Sequence, residues 1–322
     1  MSGAVTIQSA PGGLPGDLLQ IARNGSFAIA QRSMPTTDNA YSLDGWRLLL
    51  ENANGAVVSQ DTADVPTGAG YACKLVVGSG NNGKFGIFSP IENKDMLKLR
   101  GGVCSLLVPL KCTAGLVDGT GKIRMAVLYF TGTADSVAGD PISSWGAEGT
   151  NPTLATNWNY ASTPTAISVT TSWVDYKLEN QSIPSNATNI AILIWSDDRA
   201  TTTTTDILRI GGKVTLTQGA SVQAPIVLPV ADEAERCRRL YETLTLRLQV
   251  FANGVGNFMV THGYRTTKRV VPTKSLTGAS YNNASGVGVT SPDTVDGVTI
   301  YATAGGAGEA GYAVTAAADA DL

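Results

Sequence analysis

The side chains able to do chemistry are few in this chain, and their spacing argues against an enzyme. A single histidine, His262 in Thr261-His262-Gly263-Tyr264, leaves no second imidazole for a multi-histidine metal site and no spare partner for a triad. Its setting is that of a turn or a satisfied surface residue. A glycoside hydrolase needs two carboxylates across a cleft. The most suggestive acidic pair is Asp197-Asp198, but adjacent residues on an extended chain point apart, and a loop ending the preceding strand is the plainer reading. Asp197, Asp198 and Asp206 also offer the hard oxygen ligands a structural calcium takes, without a spaced acidic loop motif. No other cofactor is indicated. Gly119-Thr120-Gly121-Lys122 and Gly211-Gly212-Lys213 lack the spacing of a phosphate loop before a helix.

Aromatic residues are the better lead. A sugar's apolar C–H face packs on a flat ring while neighbouring polar groups bind its hydroxyls. Trp145, Trp158 and Tyr160 fall in the polar, Gly/Pro/Asn/Ser-rich segment 139–165, where an indole is costly to expose without a purpose. The alternative is that these rings close one end of the fold as ordinary packing. Trp46, Trp173 and Trp195 lie in predicted strands and read as core.

The elements that must position these residues are mostly strands. With 36 glycines, 15% charged residues and abundant Thr, Val, Ser and Asn, the chain reads as strands joined by many turns. Candidate strands are 26–31, 45–51, 72–77, 84–88, 103–112, 122–130, 166–170, 173–178, 189–195 and 207–216. The continuous apolar run Ala191-Ile192-Leu193-Ile194-Trp195 suits a strand covered on both faces. One amphipathic helix interrupts this pattern: over 232–244, Ala234, Cys237, Leu240, Tyr241 and Leu244 share a face and the charges take the others. After it, 258–260, 265–271, 274–276, 286–290, 298–303 and 311–316 read as short strands with few bulky apolar residues. A unit so poor in core is expected to assemble with copies of itself. Cys73, Cys104, Cys112 and Cys237 show no C-x-x-C spacing and read as small core residues.

The chain thus divides into an N-terminal arm over 1–22, marked by Pro11-Gly12-Gly13-Leu14-Pro15-Gly16, a β-sandwich jelly roll over 23–222, a linker and helix over 223–246, and a small β-rich domain over 247–322. A net charge of −3 gives no basic footprint for nucleic acid. No apolar run is long enough to span a bilayer, and Met1 to Ser9 lacks the n- and h-regions of a signal peptide. The expectation is synthesis in a cytoplasm.

Several segments together resemble bacteriophage virion proteins, namely tail-fibre, head-fibre and spike proteins with a carbohydrate-binding-module-like jelly roll. The opening Asn24-Gly25-Ser26-Phe27 through Gln31-Arg32 and the following Asp44-Gly45-Trp46-Arg47 are similar to that family's first strands. Thr170-Thr171-Ser172-Trp173 with Tyr176 resembles a late strand, and Asp206-Ile207-Leu208-Arg209-Ile210 with Leu216 and Gly219 the closing one. Glu235, Arg236, Cys237, Arg238, Leu240, Tyr241 and Glu242 resemble the helix after the sandwich, with Leu240 where a tyrosine is common and Ala234-Glu235 replacing the usual Glu-Leu. Lys268-Arg269-Val270-Val271-Pro272-Thr273 and Ala317 to Leu322 resemble the C-terminal domain.

The resemblance implies a non-enzymatic fibre or spike subunit of a phage or phage-like particle. It would be a homotrimer docked on other virion proteins by its arm, with a host surface glycan as ligand. Arg236, Cys237, Arg239 and Tyr241 would mark an assembly seam. A purely structural decoration or connector protein and a polysaccharide depolymerase are the other classes it leaves open. A bacterial adhesin fits less well without an export signal.

Overall fold

The computed structural model describes residues 20–32, 34–52, 56–77, 83–113, 122–197, 206–222, 224–290 and 294–322. Residues 1–19 of the expected arm and Asp198 of the expected metal set lie outside the described residues. Ahead of the C-terminal unit come β1 (Ala40–Tyr41), β2 (Arg47–Leu50), β3 (Ala56–Asp61), β4 (Ala72–Val77), β5 (Phe85–Ile91), β6 (Val103–Cys112), β7 (Ile123–Phe130), β8 (Ile142–Ser144), β9 (Thr153–Leu154), β10 (Trp158–Tyr160), β11 (Val174–Ser182), β12 (Asn189–Ser196), β13 (Asp206–Gly211) and β14 (Thr215–Gln218). A short helix, α1 (Asn93–Met96), follows β5. The strands form two antiparallel sheets, β1-β2-β5-β12-β7-β10 and β11-β6-β13-β4-β3, with β14 beside β6. Packed face to face, they make the mainly β, jelly-roll sandwich that the turn-rich sequence implies.

Side-chain alternation fills the space between the sheets. In β6, Cys104, Leu106, Val108, Leu110 and Cys112 point into the shared core, which leaves Ser105, Leu107, Pro109 and Lys111 facing outward. In β12 both sets are apolar. Ile190, Ile192 and Ile194 join the inter-sheet core, while Ala191, Leu193 and Trp195 enter a second cluster on the opposite face. That explains the unbroken apolar run. Gly86 lies opposite Trp195, where a Cβ would come within 2.8 Å of the Trp195 side chain.

Two strands expected in the jelly roll are absent. Asn24 and Phe27 have positive φ (47° and 54°), and the Phe27 N–H donates to the Asn24 carbonyl at 3.0 Å to close a tight turn, after which 28–31 runs on without strand pairing. Segment 166–170 contributes only the bridge Ile123↔Ile167. The turn is required by packing, because Gly25 sits where a Cβ would be 2.3 Å from the Val214 carbonyl oxygen.

The helix α2 (Val230–Arg238) is shorter than its periodicity predicts. From Tyr241 the chain is β15 (Tyr241–Asn253), so Tyr241 and Leu244 do not share a helical face with Cys237. Leu244, Leu246 and Leu248 between threonines and Arg247 fit a period of two as well as one of 3.6, and thirteen paired positions along the C-terminal strand Ala307–Asp319 decide for the strand. Glu233, expected on the charged face, is buried.

The C-terminal sheets thus begin at Tyr241 rather than 247. They are completed by β16 (Gly256–Gly263), β17 (Thr273–Asn282), β18 (Ala284–Thr290), β19 (Gly297–Ala304) and β20 (Ala307–Asp319). Three hairpins each give one strand to the sheet β15-β20-β17 and one to β16-β19-β18. Their core is small: Leu244, Leu246, Val298, Ile300, Tyr312 and Val314 with two alanines. Segment 265–271 forms no strand. Among the described residues no helix is long and apolar enough to cross a membrane.

Candidate functional site

The two outer faces of the jelly roll differ, and the difference locates the candidate site. Segment 131–165 folds over the outside of β5, β12 and β7 and carries Val137, Ile142, Trp145 and Trp158 into the second cluster. Trp145 and Trp158 are only 8% and 7% exposed. Trp158 packs against Phe88 and Phe130 with ring centroids 5.4 and 5.0 Å apart. The hydroxyl of Tyr160 donates to the Pro152 carbonyl at 2.8 Å, its ring lies near Trp195, and burial pushes its pKa up. The expectation that Trp145, Trp158 and Tyr160 form a sugar platform is therefore corrected: they hold the covering segment on the sheet. An amphipathic loop that supplies one wall of a core has the same composition as an exposed recognition loop.

The outer face of β11-β6-β13-β4-β3 is covered along β6, where Ser105, Leu107 and Pro109 are buried, and reaches the surface around Lys111, Arg209 and the loop after β3. Trp173, expected in the core, is only partly buried just before β11, and its indole N–H donates to Asp64 Oδ1 at 3.0 Å. Lys111, from the outward set of β6, reaches the same carboxylate at 2.8 Å. Arg209 of β13 lies 2.9 Å from Asp61 and 3.4 Å from Asp64. Asp61 in turn accepts the backbone N–H groups of Ala63 and Asp64 at 2.9 and 3.3 Å. Pro66 pins this loop to the sheet, filling the space over Gly211, where a Cβ would be 2.5 Å from its ring.

The electrostatics of this cluster suit binding rather than proton transfer. Partial burial would raise both carboxyl pKa values, but at Asp64 the hydrogen bonds from Lys111 and Trp173 and the Arg209 charge outweigh it. At Asp61 the Arg209 hydrogen bond and the two backbone N–H donors do the same. Both are held below the usual carboxylate range, so neither is poised as a general acid. The result is a fixed, partly buried indole beside a charged donor and acceptor set.

The other expected site residues have partners within the chain. Asp197 is gripped by Arg124, with Nε to Oδ1 at 2.8 Å and Nη2 to Oδ2 at 3.1 Å. Asp206 is buried at the start of β13 in the opposite sheet, near the Thr113 hydroxyl. Among the described residues no group of three His, Cys, Asp or Glu side chains could hold a metal ion. His262 is on a strand rather than in a turn, with Nε2 3.4 Å from the Tyr312 hydroxyl. All four cysteines are free and buried.

The entry, helix and C-terminal motifs that carry the resemblance meet at the seam between the two units. Asn24 donates to the carbonyls of Ile29 and Asp44, Phe27 packs on Trp46, and Gln31 donates twice to Asp44. Arg32 lies 3.6 Å over the Tyr241 ring and bonds Asp319 and Asp321. Arg236 donates to the carbonyls of Ile21 and Ala22, Arg239 lies 3.4 Å from Glu92, and buried Cys237 packs with Ile29 and Ala234. These residues, expected at contacts between subunits, clamp α2 to the jelly roll within one chain. Gln20 to Ala22, assigned to the arm, are buried in the same clamp. The signal that a sequence reading passes over is Glu233, whose carboxylate accepts the Asn24 N–H at 2.6 Å.

A separate concavity lies on the C-terminal unit. It is an open trough of 540 Å³ on the outside of β15-β20-β17, lined by Arg247, Gln249, Ser280, Asn282, Gly311 and Ala313, and it exists because the central strand carries small side chains.

The sequence matches no protein-family model and no curated protein. Among solved structures it is similar to TmCBM61 in complex with β-1,4-galactotriose, at 13% identity and a TM-score of 0.31, over 54% of this chain and 88% of that one. It is similar to the xylan-binding domain from CBM 22, at 13% identity and a TM-score of 0.33, over 61% and 99%. A third likeness is to the enzymatically active domain of tailspike protein 4 of bacteriophage CBA120, at 12% identity and a TM-score of 0.35; it covers 59% of this chain and 21% of that one.

Proposed function

We propose that this chain is a fibre or spike subunit of a phage-like particle, and that its jelly roll binds host-surface polysaccharide. The observation that carries the binding surface is the partly buried Trp173, fixed by its N–H on Asp64 beside Lys111 and Arg209. A shallow surface suits a polymer chain, which can lie across it without a pocket. Its indole can pack a sugar ring, and the charged groups can bind hydroxyls. Weak binding at each site would be strengthened by several copies on one particle. The arm, residues 1–19, would attach the subunit to other virion proteins.

Binding without hydrolysis is the reading that the cluster favours. A glycosidase pair needs one carboxyl with a raised pKa, whereas Asp61 and Asp64 are both lowered.

Affinity electrophoresis in host capsule or lipopolysaccharide tests this. Wild-type protein should be retarded, and Trp173→Ala and Lys111→Ala should lose most of that retardation while remaining folded. Equal retardation of wild type and Trp173→Ala would remove this face. No retardation in any host polysaccharide would leave a purely structural subunit. Release of new reducing ends would make it a depolymerase. Immunogold labelling of intact particles tests the location.

A further inference from the structure

The sheet β16-β19-β18 contains no Asp, Glu, Lys or Arg in any of its 23 residues. At the chain's own 15% roughly three would be expected, and ordinary domains carry about a quarter. Its outer face is built in rows. Asn257, Thr303 and Ser285 stand in line across the three strands, then Met259, Tyr301 and Gly288, then Thr261, Thr299 and Thr290.

Two pairs of polar side chains on this face bond each other. The Thr261 and Thr299 hydroxyls are 2.8 Å apart, and Thr303 donates to Asn257 Oδ1 at 2.7 Å. Such groups enter an interface without being left unsatisfied. The Tyr301 ring lies across Gly288, where a Cβ would be 2.7 Å away, so the face stays flat. Met259 is nevertheless 60% exposed, and Val255 at the adjoining turn is 76% exposed.

We infer that this face packs against the same face of a second copy of the chain. Where identical surfaces meet about a symmetry axis, every residue near the axis meets its own copy, so any charge there faces a like charge. A different partner would be selected better by complementary charges, and this face has none to offer. The jelly roll's cluster of Lys111, Asp61, Asp64 and Arg209 shows that the chain does not avoid charge generally. The inference deepens the reading of the chain as a multicopy appendage subunit by naming the surface that joins the copies.

The test is the mass of the full chain by light scattering on a sizing column at tens of micromolar. Wild type should elute as a multiple of 33.4 kDa. Met259→Glu with Val255→Glu should elute as a single chain with an unchanged melt of the jelly roll. Val57→Glu, at a residue 45% exposed on the jelly roll, should leave the assembly intact. Because the four native cysteines are buried, Met259→Cys supplies the accessible thiol. A short bismaleimide should join Met259→Cys chains in pairs and leave Val57→Cys chains unjoined.

Monomeric wild type, or an assembly untouched by the glutamates and without cross-links at 259, overturns the inference. Wild type that is retarded by polysaccharide but monomeric would sink this interface and spare the binding function. An assembly lost with the glutamates but without any polysaccharide binding would do the reverse. Polysaccharide retardation lost with Met259→Glu while the assembly persists would make the face a ligand site instead.

Discussion

Replacing Trp158 and Trp173 by alanine, one at a time, separates a structural indole from a ligand-binding one. Trp158 is 7% exposed and wedged between Phe88 and Phe130. Trp158→Ala should cost about 3–5 kcal/mol, the range for a large aromatic removed from a packed core, of which the two ring contacts supply about 0.5–1.5 each. At about 2–4 °C per kcal/mol for a unit of this size, the melting temperature should fall by roughly 6–20 °C. Trp173→Ala removes a partly buried ring and one hydrogen bond to the Asp64 carboxylate, worth about 1.5–3 kcal/mol as a bond to a charged group, so its melt should fall by roughly 3–12 °C. Scanning fluorimetry paired with affinity electrophoresis reads both effects. The expected pattern is the larger melting shift with binding retained for the folded fraction of Trp158→Ala, and the smaller shift with binding lost for Trp173→Ala. A Trp158→Ala protein that melts like wild type but no longer binds polysaccharide would refute the assignment of the two faces.

Lys268→Met should cost about 3–5 kcal/mol in urea melts, because it strands the Glu242 charge in a pair with no exposed side-chain surface; adding Glu242→Leu should recover most of that. Burial raises the Asp321 carboxyl to about 7, with Arg32 opposing and Asp319 adding to the shift. The folded state therefore holds this proton more tightly than the unfolded chain, so its stabilising contribution is full below about pH 4, declines through about 7 and is absent above. Amide exchange of 317–322, corrected for its intrinsic rate, should be faster at pH 8 than at pH 6, and Asp321→Asn should flatten the difference; an unaltered profile in the variant would refute it. Chelation with EDTA should leave the melting temperature unchanged, because both Asp197 oxygens are engaged by Arg124; a drop of several degrees would restore the calcium reading.

Much of the fold is legible locally. β4 and β6 coincide with their apolar patterns, and the two-faced burial of β12 follows from an apolar run with no polar side to present. The end of α2 is not legible, because Leu240 to Leu248 fits two periods and only the partner strand β20 chooses between them. Trp46 and Trp195 were readable as core, both fully buried. Trp158 and Trp173 exchange the roles their local contexts suggest, since a loop's exposure depends on what it folds over and a strand residue's on which side of the sheet it faces.

By itself, then, the sequence determined the class: alternating apolar residues and frequent turn formers dictate sheets, and a single histidine leaves no multi-histidine metal site. It also determined that the C-terminal unit is short of core. Only the tertiary structure decided which part of the sheets reaches the surface, because that depends on segment 131–165 closing over one outer face. Long-range contacts also spent the helix arginines inside the chain, on carbonyls and a carboxylate about 150 to 215 residues away. Alternation and composition act over a few residues, whereas exposure is settled by segments that meet only when the sheets pack.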